Sequence, residues 1–294
     1  MGQQDELRLT FADPVRSTEI HAIRNFRGIS LQYSRLHLPA EYEFAWEGQG
    51  HYLAYHDLIL ADGEMEVLGE TPIAGGDLRD RMTYVPQGQT IKGWAKPVDR
   101  PNAFTVLCFD PGIVRTELES EFAAFEPHPQ IYFQDFDLGA TMSKLARLMA
   151  NPLQAASSLY LETVSLTATL ELLRINFGQS RRKGQPAQLS QAQCRQLLDY
   201  IEEHLAEEIG LSDLAALAGL SRFHFSRAFK ASFHEAPYQL VLRKRVERAK
   251  LMLAQTRLSV HDVALACGFS NAAQLGRIFR NLVGRTPLAF RKTA

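Results

Sequence analysis

The sequence lacks the features that mark several large classes of protein. Its 294 residues contain three cysteines, Cys108, Cys194 and Cys267, which lie far apart and form no Cys-x-x-Cys pair. That spacing gives no zinc or redox motif, and a cysteine among apolar neighbours is typical of a small buried hydrophobe. We therefore expect a reduced, cytoplasmic setting.

Long apolar runs and catalytic signatures are missing as well. No stretch of about 18 or more apolar residues occurs, so we expect no contact with a membrane. The first residues, MGQQDELRLTF, are polar and acidic, unlike a signal peptide. No Ser-His-Asp or phosphate-loop pattern appears, so nothing in the sequence indicates an enzyme.

The charge of the chain is divided unevenly, although the net charge is only -1. Residues 181–294 hold 18 basic against 9 acidic side chains, a net of +9. Residues 1–180 hold 14 against 24, a net of -10. A basic segment on an acidic body is typical of a domain that meets a polyanion. The alternative is a basic helical surface without such a partner.

The first part of the chain is predicted to be rich in β-structure. Between residues 29 and 110, short runs of β-branched and aromatic residues alternate with turn residues. Asp62-Gly63 lies between two such runs and predicts a hairpin turn. Gly75-Gly76 and Pro86-Gln87-Gly88 predict further turns. Regular short strands of this kind favour a sandwich or a barrel.

A helical pattern follows between residues 138 and 177, where leucines recur at helical spacing. Gly178 is a plausible end of this pattern. Residues 178–188, GQSRRKGQPAQ, are polar and rich in helix breakers, which is typical of a linker. Ser190 and Gln193 then form the pattern of a capping box, which predicts the start of another helix.

Two segments of the basic part, residues 214–237 and 263–287, are similar to each other. Each begins with small and apolar residues, passes through Gly-(Leu/Phe)-Ser, and continues to a Phe followed by a basic residue and then a Pro. The second copy has one extra residue between its Gly and its Phe. The repeat indicates a duplicated supersecondary unit.

Each copy predicts two helices joined by a tight turn. Gly219 and Gly268 can take the left-handed conformation that ends a helix, and Ser221 and Ser270 can cap the next one. This is the pattern of a helix-turn-helix, whose second helix enters the major groove of DNA. A plain αα-hairpin in a bundle is the alternative. Six residues of the second helices are predicted to be core: Phe225, Phe229, Phe233, Leu275, Ile278 and Phe279.

The segment between the copies, residues 237–255, predicts one long helix that starts at Pro237. Such a helix is about 28 Å long, which can hold two recognition helices roughly one DNA turn apart. We expect apolar contacts from five of its residues: Val241, Val246, Ala249, Leu251 and Leu253.

These motifs together resemble the AraC/XylS family of bacterial transcription regulators. The similarity lies in LAALAGLSRFHFSRAFK (214–230), in the R-x-x-R-A-K-x-x-L segment from Arg245 to Leu253, and in VALACGFSNAAQLGRIFR (263–280) followed by GRTP. The resemblance covers about residues 190–294. It implies a transcription activator that binds double-stranded DNA and contacts RNA polymerase. The numerous apolar residues of 138–177 indicate a homodimer, with packing on the protein's own sheet as the alternative.

The resemblance also implies which side chains face DNA. The implied residues are Arg222, Phe223, Ser226, Arg227 and Lys230 in the first unit, and Asn271, Ala272, Ala273, Gln274, Arg277 and Arg280 in the second. Chemistry agrees for several of them, because Arg can bind guanine through two hydrogen bonds and Asn or Gln can bind adenine. Ala and Phe can contact a thymine methyl group. Each polar residue could instead be a plain solvated side chain.

The N-terminal part resembles the cupin-type sensing domain of many family members. Metal-binding cupins carry a His-x-His pair and a later His. Here His51 and His56 form no such pair, and Ile91 stands where the later His would fall. We therefore expect no metal and no cofactor. A β-sandwich can still hold a small-molecule effector, and the candidate lining residues are Tyr33, Arg35, His37, Tyr52, His56 and Trp94.

The sequence thus predicts an α+β multidomain protein that regulates transcription by binding specific DNA sequences. Its expected parts are a cupin-like β-sandwich or barrel (1–137), a helical connector or dimerisation region (138–178), a linker (179–189) and an all-α DNA-binding domain with two helix-turn-helix units (190–294). The alternatives are a protein-interaction scaffold and a cupin enzyme with an accessory DNA-binding module.

Overall fold

A computed structural model gives the structure of this chain. It describes residues 8–11, 18–37, 41–67, 71–110, 112, 116, 127–151, 156–176 and 188–293. The chain divides into two compact units, the first of residues 1–152 and 164–181, the second of residues 153–163 and 182–294. Gly178 and nearly all of the expected linker lie outside the described residues.

The described part of the first unit contains eleven β-strands, and residues 29–110 are rich in strands as predicted. The strands are β1 (Arg8–Phe11), β2 (Thr18–Phe26), β3 (Ile29–His37), β4 (Tyr42–Glu47), β5 (His51–Asp57), β6 (Leu60–Val67), β7 (Ile73–Ala74), β8 (Arg81–Val85), β9 (Thr90–Pro97), β10 (Pro101–Phe109) and β11 (Gln130–Phe133).

These strands form two antiparallel sheets. One sheet has the order β1-β4-β9-β6-β7, and the other has the order β11-β8-β5-β10-β3-β2. In the second sheet, Val106 of β10 lies opposite Ala54 of β5 on one side and Gln32 of β3 on the other. Pro86-Gln87-Gly88 forms the turn predicted between β8 and β9, with Gly88 at φ 81°.

A cluster of buried apolar side chains lies between the sheets. Trp46 of β4, Ile91 of β9 and Val106 of β10 are each 1% exposed within this cluster. In β5 the even-numbered residues point into it, because side chains alternate between the two faces of a strand. Cys108 also lies there, as expected of a buried cysteine.

Asp62-Gly63 does not form the hairpin turn that the sequence predicted. Both residues lie inside β6, where the register with β9 shifts between Leu60 and Asp62. Gly63 has φ 148°, and a Cβ on it would lie 2.7 Å from the carbonyl oxygen of Trp94. The glycine therefore permits an irregular strand that passes close to its neighbour, which a short-range turn pattern cannot distinguish from a hairpin.

The helices described after β11 occupy much of the remaining described chain. They are α1 (Phe136–Met149), α2 (Ser158–Asn176), α3 (Gln191–Glu203), α4 (Leu211–Leu217), α5 (Arg222–Phe233), α6 (Pro237–Gln255), α7 (Val260–Ala266), α8 (Ala272–Val283) and α9 (Pro287–Arg291). Among the described residues, no helix combines the length and apolar character that crossing a bilayer requires.

Helix α3 begins as the sequence predicted. The Ser190 side chain accepts a hydrogen bond from the Gln193 amide at 3.2 Å, and the Gln193 side chain accepts one from the Ser190 amide at 2.9 Å. The Gln193 side chain also donates to the Ala218 carbonyl at 2.7 Å, just after α4. The capping box therefore ties the start of α3 to the end of α4.

Helix α6 forms the long connection predicted between the two copies of the repeat, with Pro237 in its first turn. Val246, Ala249 and Leu253 are buried against α7 and α8, together with Val263 and Phe279. The expectation for Leu251 is wrong, because its side chain is 59% exposed. Leu251 lies on the helix face that points away from this cluster.

Candidate nucleic-acid interface and ligand cavity

The first helix pair, α4 and α5, has the predicted tight turn. Gly219 has φ 66°, a left-handed conformation that a residue with a Cβ adopts at a cost. The Ser221 side chain then accepts a hydrogen bond from the His224 amide and caps α5. Phe225 and Phe229 are fully buried and Phe233 is half-buried, so α5 packs through its phenylalanines as predicted.

The second helix pair, α7 and α8, repeats this geometry with one change. Gly268 has φ 78°, as predicted, but Ser270 is not the cap of α8. Asn271 holds that position, and its side chain accepts a hydrogen bond from the Gln274 amide at 2.8 Å. The extra residue of the second copy shifts the cap by one position. Ser270 instead donates its hydroxyl hydrogen to the Gln274 side chain at 3.0 Å.

A buried arginine of α6 joins the segment after α3 to the second helix pair. Arg245 donates to the carbonyl of Leu205 at 2.8 Å and to that of Glu207 at 2.6 Å, just after α3. Its side chain also packs on Gly268, where an added Cβ would lie 2.7 Å from the guanidinium carbon. Burial lowers the pKa of Arg245 from its usual value. Arg245 belongs to the segment that resembles the family. Its role here is structural, because it donates hydrogen bonds to two backbone carbonyls.

The two helices that follow the turns carry exposed basic residues. Arg227 and Lys230 are exposed on α5, and Arg277 and Arg280 are exposed on α8. Ala273 is exposed beside them in the first turn of α8. Both helices therefore present cations at positions implied by the family resemblance, and α8 also presents a small side chain there.

Other residues that the resemblance implies as DNA contacts are partly or fully buried within the protein. Ala272, Asn271 and Gln274 are half-buried, and the last two are engaged in the cap of α8. The Ser226 hydroxyl is buried and has no hydrogen-bond partner among the described residues.

Arg222 and Phe223 disagree with the expectation that they face DNA. Phe223 is 2% exposed and Arg222 is 3% exposed, so neither side chain is available at the surface in this structure. Arg222 forms an ion pair with Glu162 of α2, with 2.8 Å between the guanidinium nitrogen and the carboxylate oxygen. An unpaired cation would be costly to bury, so the carboxylate accounts for this position.

Glu162 is a structural residue of the second unit that the sequence did not reveal. It is 4% exposed, and its carboxylate also accepts hydrogen bonds from the Leu211 amide at 3.2 Å and the Ser212 hydroxyl at 3.3 Å. It therefore binds the first turn of α4 and the first residue of α5 at once. No local pattern could identify it, because Arg222 lies 60 positions away in the chain.

The six candidate effector residues lie on different faces of the first unit. Tyr52 and His56 point between the sheets and line a cavity there. Tyr33 lies on the opposite face of its sheet, in a cleft with Tyr55 and Asp57. The alternation of side chains along β3 places Arg35 and His37 on the same side as Tyr33.

The remaining candidates do not line the cavity. Arg35 is exposed, and the half-buried ring of His37 contacts the carboxylate of Asp99 at 2.6 Å. Trp94 lies in an open groove that also contains Glu64 and Lys92, on the other sheet. Of the six candidates, the structure brings together Tyr52 and His56. Apolar residues that the sequence did not single out line the same cavity.

The helix pairs, their caps and their exposed cations define a helix-turn-helix DNA-binding domain. Residues 214–293 belong to the helix-turn-helix domain family, and the domain is of the AraC type. The resemblance seen in the sequence is confirmed for this part of the chain.

Named relatives agree with this assignment. LumQ of Photobacterium leiognathi, named as a probable transcriptional regulator, is 30% identical over 155 residues, which are 53% of this chain and 61% of LumQ. An uncharacterised HTH-type transcriptional regulator of Staphylococcus aureus (strain COL) is 36% identical over 103 residues, which are 35% of this chain and 14% of the relative. The chain therefore spans less than two thirds of the length of these relatives.

Among solved structures, a transcriptional regulator from Chromobacterium violaceum with an AraC-type DNA-binding domain is 30% identical. The match covers 35% of this chain and 91% of that chain, with a TM-score of 0.34.

Proposed function

We propose that this protein regulates transcription by reading a specific DNA sequence with α5 and α8. The observation that carries the proposal is the pair of capped helices with exposed basic side chains, one in each copy of the repeat. In a helix-turn-helix, the second helix lies in the major groove and its first residues contact the bases. Two such units on one chain would read two successive major grooves.

The exposed side chains suit two kinds of contact. Arg227 and Arg277 reach toward base edges, where arginine binds the O6 and N7 atoms of guanine. Lys230 and Arg280, one turn closer to the helix ends, bind phosphates and fix the register of the protein on the duplex. Ala273 offers a methyl group to thymine. Asn271 keeps its amide nitrogen for a base while its oxygen caps α8.

Helix α6 sets the distance between the two reading helices. Its 19 residues correspond to about 28 Å. Its second half packs against α7 and α8, and Arg245 near its middle donates to two backbone carbonyls. This rigid spacing supports two half-sites separated by roughly one turn of DNA.

The first unit, a cupin-like β-sandwich in this proposal, binds a small-molecule effector that controls the DNA-binding domain. The cavity beside Tyr52 and His56 supports this role. A homodimer, contact with RNA polymerase, activation of transcription and a cytoplasmic location stay predictions from the sequence.

The test is selection of DNA by the full chain. The purified protein is incubated with a pool of genomic fragments at near-physiological salt, and the retained fragments are sequenced. We expect one enriched motif with two half-sites about one turn apart. Uniform, salt-dependent retention without a motif would contradict sequence-specific reading, and no retention would favour a protein-interaction scaffold.

Variants assign the contacts on the selected site. Arg227→Ala and Arg277→Ala should each weaken binding and relax the base preference in one half-site, at a cost of about 1–3 kcal/mol. Arg243→Ala is the matched control, because it removes the same charge from α6, where Arg243 is paired with Glu235 and Glu247. A control that loses as much affinity as the other two would argue against base reading by α5 and α8.

A further inference from the structure

The first residue of α5 is held by a carboxylate from the first two turns of α2. Arg222 pairs with Glu162 at 2.8 Å, and both side chains are buried. The same carboxylate accepts hydrogen bonds from the Leu211 amide and the Ser212 hydroxyl. A single side chain of α2 therefore binds the guanidinium group of α5 and two groups of α4.

A second contact joins the same segment of α2 to α6. The Tyr160 ring stacks on the Tyr238 ring, with 4.1 Å between the ring centroids and 29° between the ring planes. Leu159, the residue before Tyr160, is 2% exposed. Residues 158–163, which we call the α2 clamp, therefore make a buried ion pair and a ring stack within the second unit.

The start of α5 is in a state that does not suit the reading of DNA. In a helix-turn-helix the first residues of the second helix contact the bases, yet Arg222 and Phe223 are almost fully buried. The Ser226 hydroxyl lies one turn after Arg222 on the same side of the helix, and it is buried without a hydrogen-bond partner among the described residues. The family resemblance assigns all three positions to DNA. Their burial indicates a form in which this end of α5 is withheld from DNA.

Stability alone does not explain why an ion pair is buried at this place. Apolar residues of similar size often stabilise a protein at least as well as a buried ion pair, because removing two charges from water is costly. An ion pair is better suited to a contact that opens, since both groups regain water when they separate. A DNA duplex also offers phosphate oxygens to the guanidinium group in place of the carboxylate.

We propose that the α2 clamp inhibits DNA binding by holding Arg222, and that it leaves α5 before α5 enters the major groove. This inference rests on the proposed function and concerns the regulation of that same site. Helix α2 runs from residues 158–163, which belong to the second unit, to residues 164–176, which belong to the first. The helix is therefore a covalent route by which the first unit can release α5.

The first test measures the affinity of full-length variants for the DNA motif that the wild-type or variant protein selects. Glu162→Gln removes the charge that holds Arg222. It should tighten DNA binding by about tenfold or more, because the apparent affinity rises with the fraction of open molecules. Glu202→Gln is the matched control, since it removes the same charge from an exposed ion pair with Lys244 in the same unit. Helical circular dichroism verifies that both variants are folded. No gain in Glu162→Gln, or an equal gain in the control, would overturn the proposal.

Tyr160→Ala tests the α2 clamp without changing any charge. Loss of the stacked ring pair should open the clamp and tighten DNA binding by about three- to tenfold. Tyr200→Ala is its control, because Tyr200 stacks on His204, one turn further along the chain, and not on α2. A gain in the control as large as that in Tyr160→Ala would argue against inhibition by the clamp.

Hydrogen exchange of the Leu211 amide follows the α2 clamp without DNA. The first amides of a helix have no partner within the helix, and this one donates to Glu162. Tyr160→Ala leaves Glu162 in place, so faster exchange in this variant would report opening of the clamp. We expect the Leu211 amide to exchange about three- to tenfold faster than in Tyr200→Ala. Equal exchange in the two variants would show that the clamp does not open, which would overturn the proposal.

These measurements separate the inference from the proposed function. If the wild-type protein and the variants select the same motif with equal affinity, DNA reading stands and the inhibition fails. If the Leu211 amide reports an open clamp but no form of the protein retains DNA, the proposed function fails and the inhibition fails with it.

Discussion

The backbone at Gly268, in the second helix pair, lies close to Leu205 and Arg245. An added Cβ would lie 2.2 Å from the carbonyl oxygen of Leu205 and 2.7 Å from the guanidinium carbon of Arg245. We expect Gly268→Ala to destabilise the second unit by about 3 kcal/mol or more, from the left-handed φ together with the clash. Urea unfolding followed by helical circular dichroism measures this loss.

Gly219→Ala is the matched control for that variant. Gly219 has nearly the same backbone conformation, φ 66°, and no described atom lies within 4 Å of an added Cβ. Its loss should be about 1–2 kcal/mol, from the conformation alone. If the two variants lost equal stability, the close approach at Gly268 would contribute nothing to the cost of adding a Cβ there.

The cap of α8 shows where residue patterns stop being informative. The sequence predicted both turn glycines, and the structure confirms them. It predicted Ser221 correctly but placed the second cap at Ser270 instead of Asn271. Ser and Asn cap helices about equally well, so composition does not choose between neighbouring positions. The extra residue between Gly268 and Phe279 moves the cap by one position.

Among the secondary-structure elements, the helices were predicted better than the strands. The span of α6 agrees with the predicted 237–255, because Pro237 and a regular apolar period mark it. Residues 29–110 were expected to be β-rich, but the Asp62-Gly63 pattern was assigned to the wrong feature. The pairing of strands far apart in the chain decides what a glycine does inside a sheet, and the sequence alone does not contain that pairing.

The effector candidates lie on different faces because the direction of a side chain depends on the register of its strand. Tyr33 and Tyr52 are both aromatic residues of predicted strands, yet they point to opposite faces of one sheet. A shift of one residue in a strand reverses the direction of its side chain. Residue type alone therefore found Tyr52 and His56 but missed Tyr132, which depends on an irregular strand.

Helix α2 contributes to the stability of the second unit through Glu162 and Arg222. We expect Glu162→Leu and Arg222→Leu each to destabilise that unit by about 3–5 kcal/mol, because each leaves a buried charge without its partner. The double variant should cost much less than the sum, since no unpaired charge remains. A double-mutant cycle by urea unfolding measures the coupling. Additive losses would show that the ion pair is not coupled.

In the intact chain, the unfolding of the two units can be followed by two different spectroscopic signals. Both tryptophans of the chain, Trp46 and Trp94, belong to the first unit, so tryptophan fluorescence follows that unit alone. Helical circular dichroism follows mainly the second unit, because most described helices belong to it. A treatment that acts on one unit can therefore be recognised in the intact chain.

Acid should lower the stability of the first unit, because His56 is buried there in its neutral form. Its pKa falls from 6.5 to about 4 in the folded protein, so protons bind the unfolded chain more readily. The stability that follows from this difference is fully present above pH 6.5, and it is lost as the pH falls toward 4. The first unit should lose about 3 kcal/mol over this range, seen as a lower midpoint of the tryptophan-monitored transition.

The residues around His56 make this prediction specific. Described side chains that border its cavity are apolar or are tyrosines, and burial raises the pKa of Tyr42 to about 12 and those of Tyr52 and Tyr132 still higher. These tyrosines therefore stay neutral throughout the range. His56→Phe with Thr83→Val should flatten the pH dependence of the tryptophan signal and leave the helical transition as it is. A double variant with the original pH dependence would assign the effect to other groups of the first unit.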